Sequence, residues 1–143
     1  MKRITTTIDI AADPARVWAV LTDFAAYSSW NPFITSASGV AQAGKRLTIH
    51  IEPPGGKPMT FRPHVLAAEP NHVLRWKGRL LMPGLFDGEH EFRIEPHGNG
   101  VRLHHGERFS GLFVALMGAA PFQRIEQGFE AMNRALKART EGE

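Results

Sequence analysis

The sequence predicts an α+β fold: a curved antiparallel sheet of about seven strands around a long C-terminal helix, with two short helices after the first strand. Three observations predict it. Short segments alternate apolar and polar side chains, the period of half-buried strands. Brief turn signals, such as Glu69-Pro70-Asn71 and His97-Gly98-Asn99-Gly100, join many of them, which makes consecutive strands antiparallel neighbours. The C-terminal segment then changes to steps of three and four, and one long amphipathic helix must cover its apolar face against the sheet.

Lys2 to Ile10 places Ile4, Ile8 and Ile10 on one face and Arg3, Thr5, Thr7 and Asp9 on the other. Asp13-Pro14 opens a helix, with Asp13 as cap, Pro14 in the first helical position and Val17, Trp18 and Leu21 as its apolar stripe. A second short helix is expected over Asp23 to Ser28, capped by Asp23 and ended before Trp30-Asn31-Pro32, because Pro32 disfavours a helical Asn31. Strands are expected near Ile34 to Gly39, over Arg46 to Glu52, Met59 to Ala67, His72 to Gly78, Phe86 to Ile94 and Val101 to Phe109. Pro53-Pro54-Gly55-Gly56 and Met82-Pro83-Gly84 break the chain between them. Phe113 to Met117 reads as a first helical turn, and Gly118 to Pro121 as a kink or restart. Phe122, Ile125, Phe129, Met132 and Leu136 then form one stripe.

The chain has 143 residues, the size of one domain over residues 1–143. A hydrophobic fraction of 43% and a charged fraction of 22% are ordinary for a globular protein. No apolar run reaches the length of a membrane span, and Met1 to Thr5 leads straight into a strand with no apolar signal region. With no cysteine, disulfides and thiolate metal sites are excluded, and a cytoplasmic location is the expectation. The net charge of +3 comes from scattered residues such as Arg16, Arg46, Arg62, Arg75, Arg93, Arg108 and Arg124. They form no basic stripe interleaved with aromatics, so a solvated surface is favoured over nucleic-acid binding.

Several segments resemble a known family. They are Ile8 to Trp18 with its Asp13-Pro14-x-x-Val17-Trp18 start, Asp23-Phe24 with Tyr27-Ser28-Ser29-Trp30-Asn31-Pro32-Phe33, and Leu74-x-Trp76-x-Gly78. Glu107-x-Phe109-x-Gly111 and Gly128-Phe129-Glu130-x-Met132-Asn133-x-x-Leu136-Lys137 complete the set. The chain resembles the START-like, or SRPBCC, superfamily with its helix-grip fold. Within it, the chain looks like the bacterial polyketide cyclase/dehydrase and lipid-transport branch. The resemblance implies a pocket between the concave sheet and the long helix. Members bind lipids, sterols, plant hormones, polyketides and aromatic compounds, and only some are enzymes.

The alternation can be set against that pocket. If Pro96 faces Val101 across the hairpin, Ile94 opposes Leu103, Phe92 opposes His105 and His90 opposes Glu107. Three ionisable groups, His90, His105 and Glu107, then point inward. If Ala68 faces Val73, Val65 lies opposite Trp76. Met59, Phe61, Val65, Leu74, Trp76, Phe86 and Phe92 then line one wall, and Phe122, Ile125, Phe129 and Met132 face it from the helix. That is a mostly apolar lining with few polar groups, as expected of a ligand site.

His90 and Glu107 can satisfy each other as a structural pair, orient a ligand's polar group, or act with His105 as acid and base. No metal is expected: His104 and His105 are adjacent on a strand and face opposite sides, and no His-Glu-x-x-His pattern exists. Asn31 reads as a turn former, and Trp18 and Trp30 as core. Asn133 is expected to bond an outer strand or loop. Three functions remain in view. The first is carriage of a small, mostly apolar molecule. The second is a cofactor-independent cyclase or dehydratase using the inward His and Glu. The third is an interaction module like the Hsp90-activator relatives of the fold.

Overall fold

The computed structural model describes residues 1–80 and 84–142, so Met82 and Pro83 of the expected break lie outside it. Strand β1 (Lys2–Ile10) leads into helix α1 (Pro14–Thr22), whose Asp13 cap accepts from the Arg16 amide at 2.8 Å. A 3₁₀ turn at Phe24–Ala26 runs directly into helix α2 (Tyr27–Trp30). The second helix is therefore split. Asp23 gives it no side-chain cap, and it ends after Trp30 rather than before it. Asn31 is the residue that turns extended, as the proline after it requires.

Strands β2 (Ile34–Ser38), β3 (Thr48–Ile51) and β4 (Met59–Phe61) form one antiparallel set. Strands β5 (His64–Glu69), β6 (Val73–Leu80), β7 (Phe86–His97) and β8 (Gly100–Ser110) join β1 in a second set, ordered β1-β8-β7-β6-β5. The single strand expected over Met59 to Ala67 is thus two strands in two sets. Pro63 is the cause, because it has no amide to offer a ladder. Its carbonyl instead accepts from the Leu47 amide at 2.9 Å, and Val65 donates to the Lys45 carbonyl at 2.8 Å. These bonds tie the two sets into one curved wall.

The β7–β8 register matches the alternation: Ile94 opposes Leu103, Phe92 opposes His105, and His90 opposes Glu107. Pairing continues to His97 and Gly100, so the hairpin loop is Gly98-Asn99, with Gly98 at a φ of 59°. The β5–β6 turn differs from the expectation by one residue, since Ala68 opposes Leu74 rather than Val73. A bulge between Val65 and Ala67 absorbs the extra residue, and Val65 still faces Trp76.

After β8, helix α3 (Leu112–Leu116) ends at an extended Met117, and helix α4 (Ala119–Glu141) restarts three residues before the expected stripe. Pro121 sits in its first turn, where an amide has no partner within the helix. The buried face of α4 carries Phe122, Ile125, Gly128, Phe129, Met132, Asn133 and Leu136. Gly128 interrupts a helix at a cost of about 1 kcal/mol relative to Ala. The gain is space: a Cβ there would overlap the ring of Phe33, which packs edge-on against Phe129 at 5.5 Å. Gly128→Ala should therefore destabilise the fold by about 1–2 kcal/mol, overpacking outweighing the propensity gain. Urea unfolding measures this, and an unchanged or raised midpoint would mean that Phe33 yields freely.

Candidate functional site

Strands β7 and β8 place His90, His105 and Glu107 on the concave side, and Thr6 of β1 and Asn133 of α4 meet them there. The five side chains form one hydrogen-bonded chain. Thr6 Oγ1 donates to the His105 carbonyl at 2.8 Å. Its only proton is thereby used, so it accepts from Asn133 Nδ2 at 2.9 Å. The amide oxygen of Asn133 is then the atom facing His105 Nδ1, at 2.8 Å, and His105 donates to it.

His105 is fully buried, and burial first, then the charge of neighbouring His90, holds it well below the ordinary histidine value. It is neutral, with its proton on Nδ1 and a lone pair on Nε2. His90 Nε2 lies 2.8 Å from that lone pair and must donate to it. The other nitrogen of His90, Nδ1, lies 3.0 Å from Glu107 Oε1. Two lone pairs cannot face each other, so one proton resides between His90 and Glu107, on one or the other. The His90 ring stacks on Trp76 at 4.9 Å and 14°. His105 is held between Phe92 and Phe129, at 4.3 and 4.1 Å.

Beside this pair lies an apolar void of about 60 Å³. Of the expected lining residues, Phe61, Trp76, Phe86, His90, Glu107, Ile125 and Met59 stand in its wall. Val65, Leu74, Phe92, Phe122, Phe129 and Met132 do not; they are buried in the solid core. His105 lies behind His90 and reaches the void only through it. The void thus occupies one end of the concave face, because the middle of α4 packs flat on the sheet through Phe129 and Met132. Phe33, Ile34, Ile49, Ile51 and Phe109 complete the apolar wall. Ile49 and Ile51 alternate visibly in the sequence, but their place depends on the break at Pro63. Gly78 and Gly88 also line the void, and a Cβ at Gly88 would overlap Glu107 Oε2.

The void adjoins a broader apolar surface cleft of about 410 Å³, and Met59, Phe86 and Ile125 line both. His90 and Glu107 line the void and not the cleft, while Lys57 and Arg124 line the cleft.

Two further polar residues differ in outcome. Asn31 Oδ1 accepts from the Phe33 and Ile34 amides at 3.0 and 2.9 Å, the turn-forming role its position suggests. Asn133 bonds inward to His105 and Thr6 rather than to an outer strand or loop. Its signal was present: it follows Met132 on the buried stripe, and Thr6 shares the face of Ile4 and Ile8. Among the described residues no group of three or more His, Asp or Glu is placed to hold a metal. His104 pairs with Glu95 at 3.1 Å on the other face of β8.

A family model for polyketide cyclase/dehydrase and lipid transport matches residues 1–141. The chain belongs to this family. A search among curated proteins finds no match for this family member. Among solved structures it is similar to a START superfamily protein from Mycobacterium smegmatis, at 21% identity and a TM-score of 0.77, covering 98% of this chain and 97% of that one. It is similar to TTHA0849 from Thermus thermophilus, at 18% identity and a TM-score of 0.78, over 99% and 98% of the two chains. The Zhui aromatase/cyclase from Streptomyces sp. R1128 matches at 17% identity and a TM-score of 0.73, over 98% and 93%. At these identities the likeness shows the fold, which is the START-like helix-grip arrangement expected of a polyketide cyclase/dehydrase and lipid transport family member. No helix among the described residues is long and apolar enough to cross a membrane.

The buried histidine makes stability depend on pH. The unfolded chain takes up a proton at His105 near 6.5, and the folded chain does so only well below that. Its contribution is fully present above about pH 6.5 and is lost as pH falls below it, by up to about 1.4 kcal/mol per pH unit. Urea unfolding at pH 7, 6 and 5 should show this slope, and His105→Gln should flatten it. Equal slopes in the two proteins would contradict the assignment.

Proposed function

We propose that the protein binds and carries a small, mostly apolar molecule, a lipid, polyketide or aromatic compound, seated in the void with its remainder in the adjoining cleft. The observation that carries this reading is the ordering of the wall: apolar throughout, with His90 and Glu107 as one polar pair beside the void. The void alone is well below the roughly 300–1,000 Å³ of pockets that hold drug-sized ligands. A ligand therefore spans void and cleft, past Met59, Phe86 and Ile125. Affinity comes from apolar burial, about 25 cal/mol per Å² before association costs, and orientation from the polar pair.

A second reading has its own observation. The proton held between His90 and Glu107 lies at the void wall, where it can be given to or taken from a bound molecule. A cofactor-independent cyclase or dehydratase has that requirement. In that case Glu107→Gln and His90→Gln keep ligand binding and lose turnover, since neither variant retains the proton shared between imidazole and carboxylate.

The binding reading is tested by native mass spectrometry of freshly purified protein, with thermal shifts against a panel of fatty acids, flavonoids and polyketide-like aromatics. A retained mass or a raised Tm is expected, and Ile125→Trp, which fills the junction of void and cleft, should abolish it. No retained mass and no shift across the panel would contradict it.

A further inference from the structure

The proton inventory of the site goes one step further and selects a ligand chemistry, provided the void is the binding site proposed above. Both nitrogens of His90 are committed, Nε2 to His105 and Nδ1 to Glu107. Glu107 Oε1 is committed to His90. Glu107 Oε2 has no hydrogen-bond partner among the described residues, and it lies against Gly88, whose missing side chain leaves it open at the void wall. The shared proton moves on the line between Nδ1 and Oε1. Whichever atom holds it, Oε2 carries none and can only accept.

A ligand group at that position must therefore donate. An ether or ketone oxygen would face Oε2 with no proton between them. A carboxylate would add like charge as well. A cation donates, but His90 and Glu107 together are neutral, so an ammonium would be a buried charge without a counter-ion. A neutral hydroxyl meets every condition. The rest of the wall favours a flat ring, since Phe33, Phe61, Trp76, Phe86 and Phe109 surround the space.

We propose that this site selects a neutral, hydroxyl-bearing ring compound, a phenol or ring alcohol, whose O–H donates to Glu107 Oε2. An anionic substituent on such a molecule belongs at the far end, in the cleft that Lys57 and Arg124 line.

Four probes of one shape separate the possibilities: 2-naphthol, 2-methoxynaphthalene, 2-naphthoate and protonated 2-(aminomethyl)naphthalene. Their affinities are measured by calorimetry, with amide shifts at Gly88 and Glu107 in a ¹H–¹⁵N titration reporting the site. 2-Naphthol should bind about ten-fold or more tightly than each of the others, the worth of one hydrogen bond to an acceptor that otherwise stays unpaired. Glu107→Leu should reduce that preference below about three-fold. Glu107→Gln should keep it, because the amide nitrogen turns to His90 and leaves its oxygen at the void; this variant also reports if the leucine variant fails to fold. Binding of the probes without a preference for 2-naphthol, or with a preference that survives Glu107→Leu, overturns the ligand assignment and leaves the pocket reading standing. Binding by none of the four overturns both.

Discussion

The bond from Thr6 Oγ1 to the carbonyl of His105 fixes the direction of every hydrogen bond in the buried side-chain network beneath the long helix. It makes Thr6 an acceptor, which orients the Asn133 amide, which sets the His105 tautomer, which makes His90 a donor. Four elements, β1, α4, β8 and β7, are joined through these side chains. A buried polar group without a partner costs about 1–3 kcal/mol, so each member is held in place by its neighbours. The network ends at Glu107, which borders the void, and delivers there one proton and one free acceptor oxygen.

Space for a ligand comes from what the core omits. Phe129, Met132 and Leu136 of α4 press directly on the sheet and are fully buried. Toward the helix start only Ile125 reaches the wall, and across from it Gly78 and Gly88 replace side chains. Glycine in a strand weakens it, so these two positions exchange local stability for room. Gly128 does the opposite: it admits the Phe33 ring and tightens the core beside the void. The same helix thus seals one end of the concave face and leaves the other partly open.

Much of this was legible in the sequence, for reasons specific to each part. The period-2 pattern of Phe86 to Phe109 fixes which side chains point inward, and a short hairpin fixes the register, so the facing of His90 and Glu107 could be read directly. The Val65–Trp76 pairing came out correctly although the turn was one residue off, because the bulge cancels the slip. The split at Pro63 was not read, although proline without an amide announces it, and the wall from Ile49 and Ile51 was missed with it. Periodicity also marks a residue as inward without saying whether it meets a void or a neighbour. That is why Phe92, Phe129 and Met132 were expected at the pocket and lie in the core. Thr6 goes unremarked and Asn133 is assigned to an outer strand or loop, because a polar residue beside an apolar stripe does not name its partner, and the partners lie 28 to 127 residues away in the chain.

The central claim is a distribution of protons, and nitrogen-15 NMR of the histidine rings at neutral pH measures it most directly. The expected spectrum shows a neutral His105 with hydrogen on Nδ1 and a bare Nε2, and a His90 whose Nε2 carries hydrogen and whose Nδ1 shares one with Glu107. A His105 with its proton on Nε2, or a neutral His90 whose bare Nδ1 faces an ionised Glu107, would contradict it.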